Sequence, residues 1–221
     1  MIVSMWMTRT VAVIDAAAPI AEAASVMALR RIRRLPVVEQ RADGPHLVGI
    51  VSAKDILHAV PPDVNPFAVL GLENRQAPEI VGHIMSQRLV LATPETPIET
   101  AATLMTENKI GALPVVRTGT STLVGLITES DIFRAFVSFF ASDQPGARIT
   151  FDISGGEDVF RLVQQAAHRH HVRVVSLITS RQEDRPVCVV RIAGQDVDGM
   201  LDEIWGSGHR VLNVLRFGEK G

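Results

Sequence analysis

Gly49-Ile50-Val51-Ser52-Ala53-Lys54-Asp55 is the stretch on which the fold turns, because it returns as Gly125-Leu126-Ile127-Thr128-Glu129-Ser130-Asp131. The shared pattern is G-x-x-[ST]-x-x-D. In each copy a short apolar run meets a hydroxyl residue, and an aspartate follows three positions later. That spacing marks a strand running into a helix, and it has two physical readings. In the first, Ser52 or Thr128 caps the helix and Asp55 or Asp131 reaches back to close the box, its charge suiting the positive helix end. In the second, the helix start offers free N–H groups to an anion, and the aspartate accepts the hydroxyls of a ribose. The readings are compatible, because a cap residue can change partner when a ligand arrives.

Outward from the motif the repetition continues. Met7-Thr8 returns as Met85-Ser86, Pro19-Ile20 as Pro97-Ile98, and Leu35-Pro36-Val37-Val38 as Leu113-Pro114-Val115-Val116, each offset by 78 (85 − 7). Leu47-Val48-Gly49 and Asp55-Ile56 return with an offset of 76 (131 − 55). The second copy therefore has a shorter loop opposite residues 39–46, a Gly-, Pro- and charge-containing stretch expected at the surface. Each copy reads β-α-β-β-α. Residues 1–10 are expected to be a first strand or its approach. Pro19 and Pro97 are expected at the first helical position. Ile20, Ala23, Ala24 and Met27, and then Ile98, Ala101, Ala102 and Met105, fall on one helical face and belong to a core. Thr96 and Glu99 have capping-box spacing; Ala18 and Ala21 in the first copy do not. The Leu-Pro-Val-Val stretches read as short buried strands with proline at the start, and 47–51 and 123–127 as their partners.

Val60-Pro61-Pro62-Asp63-Val64-Asn65-Pro66 breaks the pattern between copies, with a helical turn expected over 67–74. Ser142-Asp143-Gln144-Pro145-Gly146 breaks it again. Beyond it the order is strand (148–153), helix (157–170), strands (172–179 and 187–192), helix from Val197 and strand (211–217), the split βαββαβ unit. The expected organisation is 1–60 and 79–141 for the two repeats, 61–78 for a connector and 147–221 for a third, α+β domain.

Composition narrows the function. Hydrophobic residues make up 47% of the 221, enough for real cores. A net charge of -2 lacks the basic surplus of a nucleic-acid binder. No apolar run is long enough for a membrane span and no signal peptide is evident. The single cysteine, Cys188, precludes an internal disulfide and suits a reducing compartment, so a soluble cytoplasmic protein is expected. Cys188 lies mid-strand and reads as buried and inert. His168, His170 and His171 lack the i, i+4 spacing of helical zinc ligands and read as solvated or cap-interacting. No P-loop, nucleophile elbow or dinucleotide fingerprint occurs, so a non-enzymatic role with no required cofactor is expected.

The tandem repeat, its Leu-Pro-Val-Val strands and both G-x-x-[ST]-x-x-D junctions resemble a pair of CBS domains, the Bateman module, over about residues 1–140. The resemblance implies two clefts with pseudo-twofold symmetry, which in many members bind adenosine nucleotides (AMP, ADP or ATP) as regulatory ligands. Carried to this chain, it nominates Ser52, Asp55, Thr128 and Asp131 near ribose or phosphate. It adds Arg33 and Arg34 before one Leu-Pro strand, with Gly111 and Ala112 at the matching places, and the paired Thr8 and Ser86. Two guanidiniums suit phosphate, so the clefts are expected to be unequal; a solvated helix end is the other reading of those arginines. The C-terminal unit resembles the ACT domain, but Asp152-Ile153-Ser154-Gly155-Gly156 lacks the proline of the Asp-x-Pro-Gly often seen in that family's first loop. This implies dimerisation, with the binding of a second effector as the other reading. The architecture as a whole resembles the acetoin-utilisation accessory (AcuB-like) proteins, and it implies a homodimer that signals to a regulated enzyme. A structural dimerisation module with vestigial clefts is the alternative, and an enzyme of acetoin metabolism a third reading that the missing nucleophile–base set disfavours.

Overall fold

Both Leu-Pro-Val-Val stretches become strands with no exposed apolar position among them. The computed structural model describes residues 1–42, 44–59, 79–140, 145–156, 158–182 and 185–218. The turn expected over 67–74 and the whole 61–78 connector lie outside these residues. In the first repeat β1 (Ile14–Asp15), α1 (Ile20–Arg30), β2 (Arg34–Arg41), β3 (Gly44–Ser52) and α2 (Ala53–Ala59) follow in order. The second repeat has α3 (Ile98–Asn108), β4 (Ala112–Val116), β5 (Leu123–Thr128) and α4 (Glu129–Phe140). This corrects the β-α-β-β-α expectation for that copy, where a single bridge between Ala92 and Val115 stands in place of a first strand. β2 pairs antiparallel with β3 and β4 with β5, and both ladders shift register at the same place, Val37/Val38 and Val115/Val116. The repeat thus extends to its irregularities.

Several local expectations are corrected. Of the two readings of residues 1–10, the strand is not formed and the approach is: Val3–Met5 is a single 3-10 turn ahead of β1, matched in the second repeat by Val81–His83. Pro19 and Pro97 stand one position earlier than expected, at the helix N-caps, with φ of -61 and -59. The Thr96–Glu99 capping box is not made; Thr96 Oγ1 instead accepts the Thr93 N–H at 2.9 Å. Residues 39–46 are mostly ladder rather than loop, since β2 and β3 stay paired out to Arg41 opposite Gly44. Gly44 meets the tight turn with φ 119, a conformation open to glycine.

The two repeats are interleaved at their beginnings. Thr8 and Leu126 exchange both backbone hydrogen bonds, at 2.9 and 3.0 Å, and Ser86 and Ile50 do the same at 2.9 and 3.0 Å. Val3 and Met7 consequently lie in the core built by Ile98, Ala101, Met105, Leu113 and Ile127. Val81 lies in the core of Ile14, Ala23, Met27, Leu35 and Val51. Each repeat closes the apolar layer of the other, because the helix and hairpin alone leave one edge uncovered. A third cluster of Val38, Leu47, Val116 and Leu123 joins the two hairpins. Each fully buried Leu, Ile or Val contributes about 1.5–3 kcal/mol.

The chain forms two compact units, Met1–Ala135 and Phe136–Gly221. In the second, β6 (Gly146–Asp152), α5 (Val159–Arg169), β7 (Arg173–Gln182), β8 (Arg185–Ala193), α6 (Val197–Gly206) and β9 (Val211–Phe217) follow in order. The sheet order is β7-β8-β6-β9, with antiparallel neighbours throughout. This is the split βαββαβ order. Ile149 and Phe151 of β6 and Val190 and Ile192 of β8 pack with Val163, Met200 and Ile204 of the helices. Asp158 caps α5 and Asp196 caps α6 through their side chains. Among the described residues no helix is long and apolar enough to cross a membrane.

Candidate functional site

The motif aspartates show their local task first. Thr128 donates both its N–H (2.9 Å) and its hydroxyl (2.7 Å) to Asp131 Oδ2, and the Asp131 N–H returns to Thr128 Oγ1 at 3.3 Å. Ser52 and Asp55 make the same set at 2.7, 2.7 and 3.2 Å. Both helix starts therefore carry closed capping boxes. The copies then diverge. Asp131 is buried, with 5% of its surface exposed, and its other oxygen pairs with Arg134; Asp55 is half-buried.

The motif glycine has a tertiary cause. A Cβ on Gly125 would stand 2.6 Å from Met7 Sδ and 3.1 Å from the Thr8 carbonyl oxygen. A Cβ on Gly49 would collide with the Met85 side chain. Each glycine is thus the floor on which the methionine of the other repeat rests.

A cavity of about 530 Å³ opens where the repeats interleave. Thr8 and Thr10 line it from the N-terminal segment, and Thr128, Glu129 and Ser130 from the start of α4. Arg30, Arg31, Arg33 and Arg34 form a basic wall, with Gly111 and Ala112 beside it. Of the residues nominated from sequence, Thr8, Arg33, Arg34, Gly111, Ala112 and Thr128 come together here. Ser52, Asp55, Ser86 and Asp131 are not part of this lining. This corrects the expectation that Arg33 and Arg34 define one cleft and Gly111 and Ala112 the other: both pairs line the same cavity, because each wall comes from a different repeat. Sequence reasoning passed over Thr10, Glu129 and Ser130. The signal was present, since Glu129 and Ser130 lie inside the motif, but spacing does not tell which helix-start residues turn outward.

The arginine wall follows from how α1 ends. Arg31 adopts a left-handed conformation, φ 54, and Ile32 N–H reaches back to the Met27 carbonyl at 3.0 Å. That turn stops the helix and sends the chain into β2. Lys109 does the same after α3, with φ 53.

Comparison with known proteins agrees with this geometry. A model of the CBS domain matches residues 3–62 and 81–138, more than half of the chain. The chain belongs to the CBS-domain family. Its CBS pair is similar to the CBS domain pair of protein MJ0100 in complex with 5'-methylthioadenosine and S-adenosyl-L-methionine, at 25% identity and a TM-score of 0.51, over 62% of this chain and 96% of that one. It is also similar to CBSX2 in complex with AMP, at 27% identity and a TM-score of 0.50, over 62% of this chain and 96% of that one. A homoserine O-acetyltransferase of Methanohalobium evestigatum is 33% identical over 137 residues, 62% of this chain and 24% of that protein. The chain thus spans about a quarter of the length of that relative.

Outside the CBS pair, the histidine cluster of the second unit resolves into one anchored residue. His170 ends α5, with Nδ1 2.6 Å from Asp196 Oδ2 and Nε2 3.2 Å from Glu203 Oε2. These carboxylates, Asp196 foremost, raise the His170 pKa above its ordinary value; that of Asp196 is lowered chiefly by His170 and that of Glu203 chiefly by Arg169. Cys188 is buried, and burial pushes its thiol up, away from reactivity. In the loop after β6, Gly156 takes a positive φ of 79. Among the described residues no group of three or more His, Cys, Asp or Glu side chains could hold a metal ion.

Proposed function

We propose that this CBS-family protein is a non-catalytic regulator that senses an adenosine nucleotide in its repeat pair. The observation that carries the reading is the cavity itself. Four arginines line it together with threonines and the start of a helix, residue types whose donors a phosphorylated nucleoside needs. Adenosine compounds in the related CBS pairs support the same ligand class. In this reading Thr8, Arg33, Arg34, Gly111, Ala112 and Thr128 serve one cleft. Ser52, Asp55 and Ser86 serve its counterpart, and Asp131 steadies the helix start. The repeats run over 1–60 and 79–141 with a 61–78 connector. The unit over 147–221 is an ACT-like module for dimerisation or a second effector, so that a cytoplasmic homodimer signals to a partner enzyme. A link to acetoin utilisation rests on domain order alone. Ligand can shift such a dimer only through contacts that differ between its states.

Isothermal titration with AMP, ADP, ATP and S-adenosylmethionine tests the reading, with mass spectrometry of any small molecule that survives purification. At least one should bind with measurable heat. No heat and no thermal shift with all four would falsify it. One observation favours the second reading, a dimerisation module with vestigial clefts: both oxygens of Asp131 already have partners within the chain. A nucleotide that co-purifies would count against that alternative.

A further inference from the structure

The cavity contains one contradiction of charge. Four arginines line it, and Glu129 is the single acidic residue among its lining. Glu129 does not sit apart from them. A Cβ on Gly111 would lie on the Glu129 carboxylate and 2.7 Å from Arg34 Nη2. The two side chains therefore approach the space over the bare Cα of Gly111, one from each repeat, without forming an ion pair there. Glycine at 111 leaves the space in which opposite charges can approach. Glu129 is exposed and is the first residue of α4, and its N–H donates to the Gly111 carbonyl at 3.2 Å. Its backbone is thus fixed to the cavity wall while its side chain is exposed.

We propose that Glu129 is a charge gate that sets the ligand class of this cleft. Its carboxylate lies in the space over Gly111 through which a ligand anion would reach Arg34, and a phosphate must displace it. A neutral nucleoside gains nothing from that exchange. A monophosphate gains one charge-assisted contact, and a polyphosphate keeps further oxygens for the other guanidiniums. The net positive lining also disfavours adenosine compounds that carry a sulfonium or free ammonium group. The cleft therefore selects adenosine polyphosphates, and Glu129 lowers their affinity relative to what the arginine wall alone would supply. A merely structural Glu129, present for the helix dipole, would leave the ranking of ligands untouched.

This rests on the reading of the cavity as the ligand site, and the experiment separates the two. Titrate adenosine, AMP, ATP and sodium tripolyphosphate into the full chain, the E129Q and R34Q variants and the double variant, with thermal melts as the folding control. The expected E129Q effect is about fivefold tighter ATP with adenosine unchanged, and the expected R34Q effect is about tenfold weaker ATP. In the double variant the E129Q gain disappears, because the two side chains act as a coupled pair. Equal effects on adenosine and ATP, or an E129Q gain that survives loss of Arg34, would overturn the gate. If tripolyphosphate alone binds and tightens in E129Q, the gate stands and the adenosine reading falls. If no probe binds any folded variant, both fall.

Discussion

Asp131 and Asp55 occupy the same place in the same motif, and they do not have the same surroundings. Asp131 is buried and held by Thr128 and Arg134, whereas Asp55 is half-buried and held by Ser52. The methionines that rest on the motif glycines differ likewise, Met7 being 8% exposed and Met85 half-buried. A repeat in sequence is therefore not a repeat in energy. What decides each copy is the segment that the other copy lays across it.

The comparison can be broken most directly at the methionines. Met7→Ala is expected to cost about 2–4 kcal/mol, the usual range for a truncated core methionine, and Met85→Ala clearly less. Urea denaturation followed on the first unit would measure both, and equal losses would refute the asymmetry. Next come the caps. Asp131→Ala should cost about 1–2 kcal/mol and Asp55→Ala about 0.5–1, since the buried box leaves more donors unpaired. Thermal melts of the two variants check the order.

Smaller effects belong to the helix ends. Arg31→Gly and Lys109→Gly should each gain up to about 1 kcal/mol, because glycine takes the left-handed conformation at no steric cost. Only Arg31 lines the cavity described above, so Arg31→Gly should also weaken ATP binding there while Lys109→Gly leaves it unchanged. Titration beside the melts separates the two.

The smallest expected change comes from the second unit, whose pH response forms the background to these measurements. His170 has a pKa raised above 6.5 by Asp196 and Glu203. Its contribution is complete below pH 6.5 and is lost as pH rises through the raised value. The lowered carboxylates contribute above their ordinary 3.8 and 4.5 and lose that contribution as pH falls through their depressed values. The unit should thus be steadiest between pH 4.5 and 6.5, and His170→Gln should flatten the alkaline side of a melting-temperature profile.

Much of this was legible in the residues. Hydrophobic period, the Leu-Pro-Val-Val strands and the order of elements in the second unit are local properties, and the structure carries them with small shifts in boundary. The capping boxes at Ser52 and Thr128 were legible for the same reason, since both partners lie within four residues. Thr96 and Glu99 had similar spacing and made no box, because Pro97 takes the N-cap position and Thr96 turns to Thr93. Local spacing proposes a cap, and the backbone around it decides.

By itself the sequence determined that two like modules stand in tandem before a βαββαβ unit. It also determined which residues carry hydroxyl, carboxylate and guanidinium groups. Only the tertiary structure decided that Met7 rests on Gly125 and Met85 on Gly49, and that Arg34 of one repeat and Glu129 of the other both approach Gly111. Those contacts join residues far apart in the chain, and no period or spacing encodes them. They follow from each repeat's need to bury an edge that its own residues leave open.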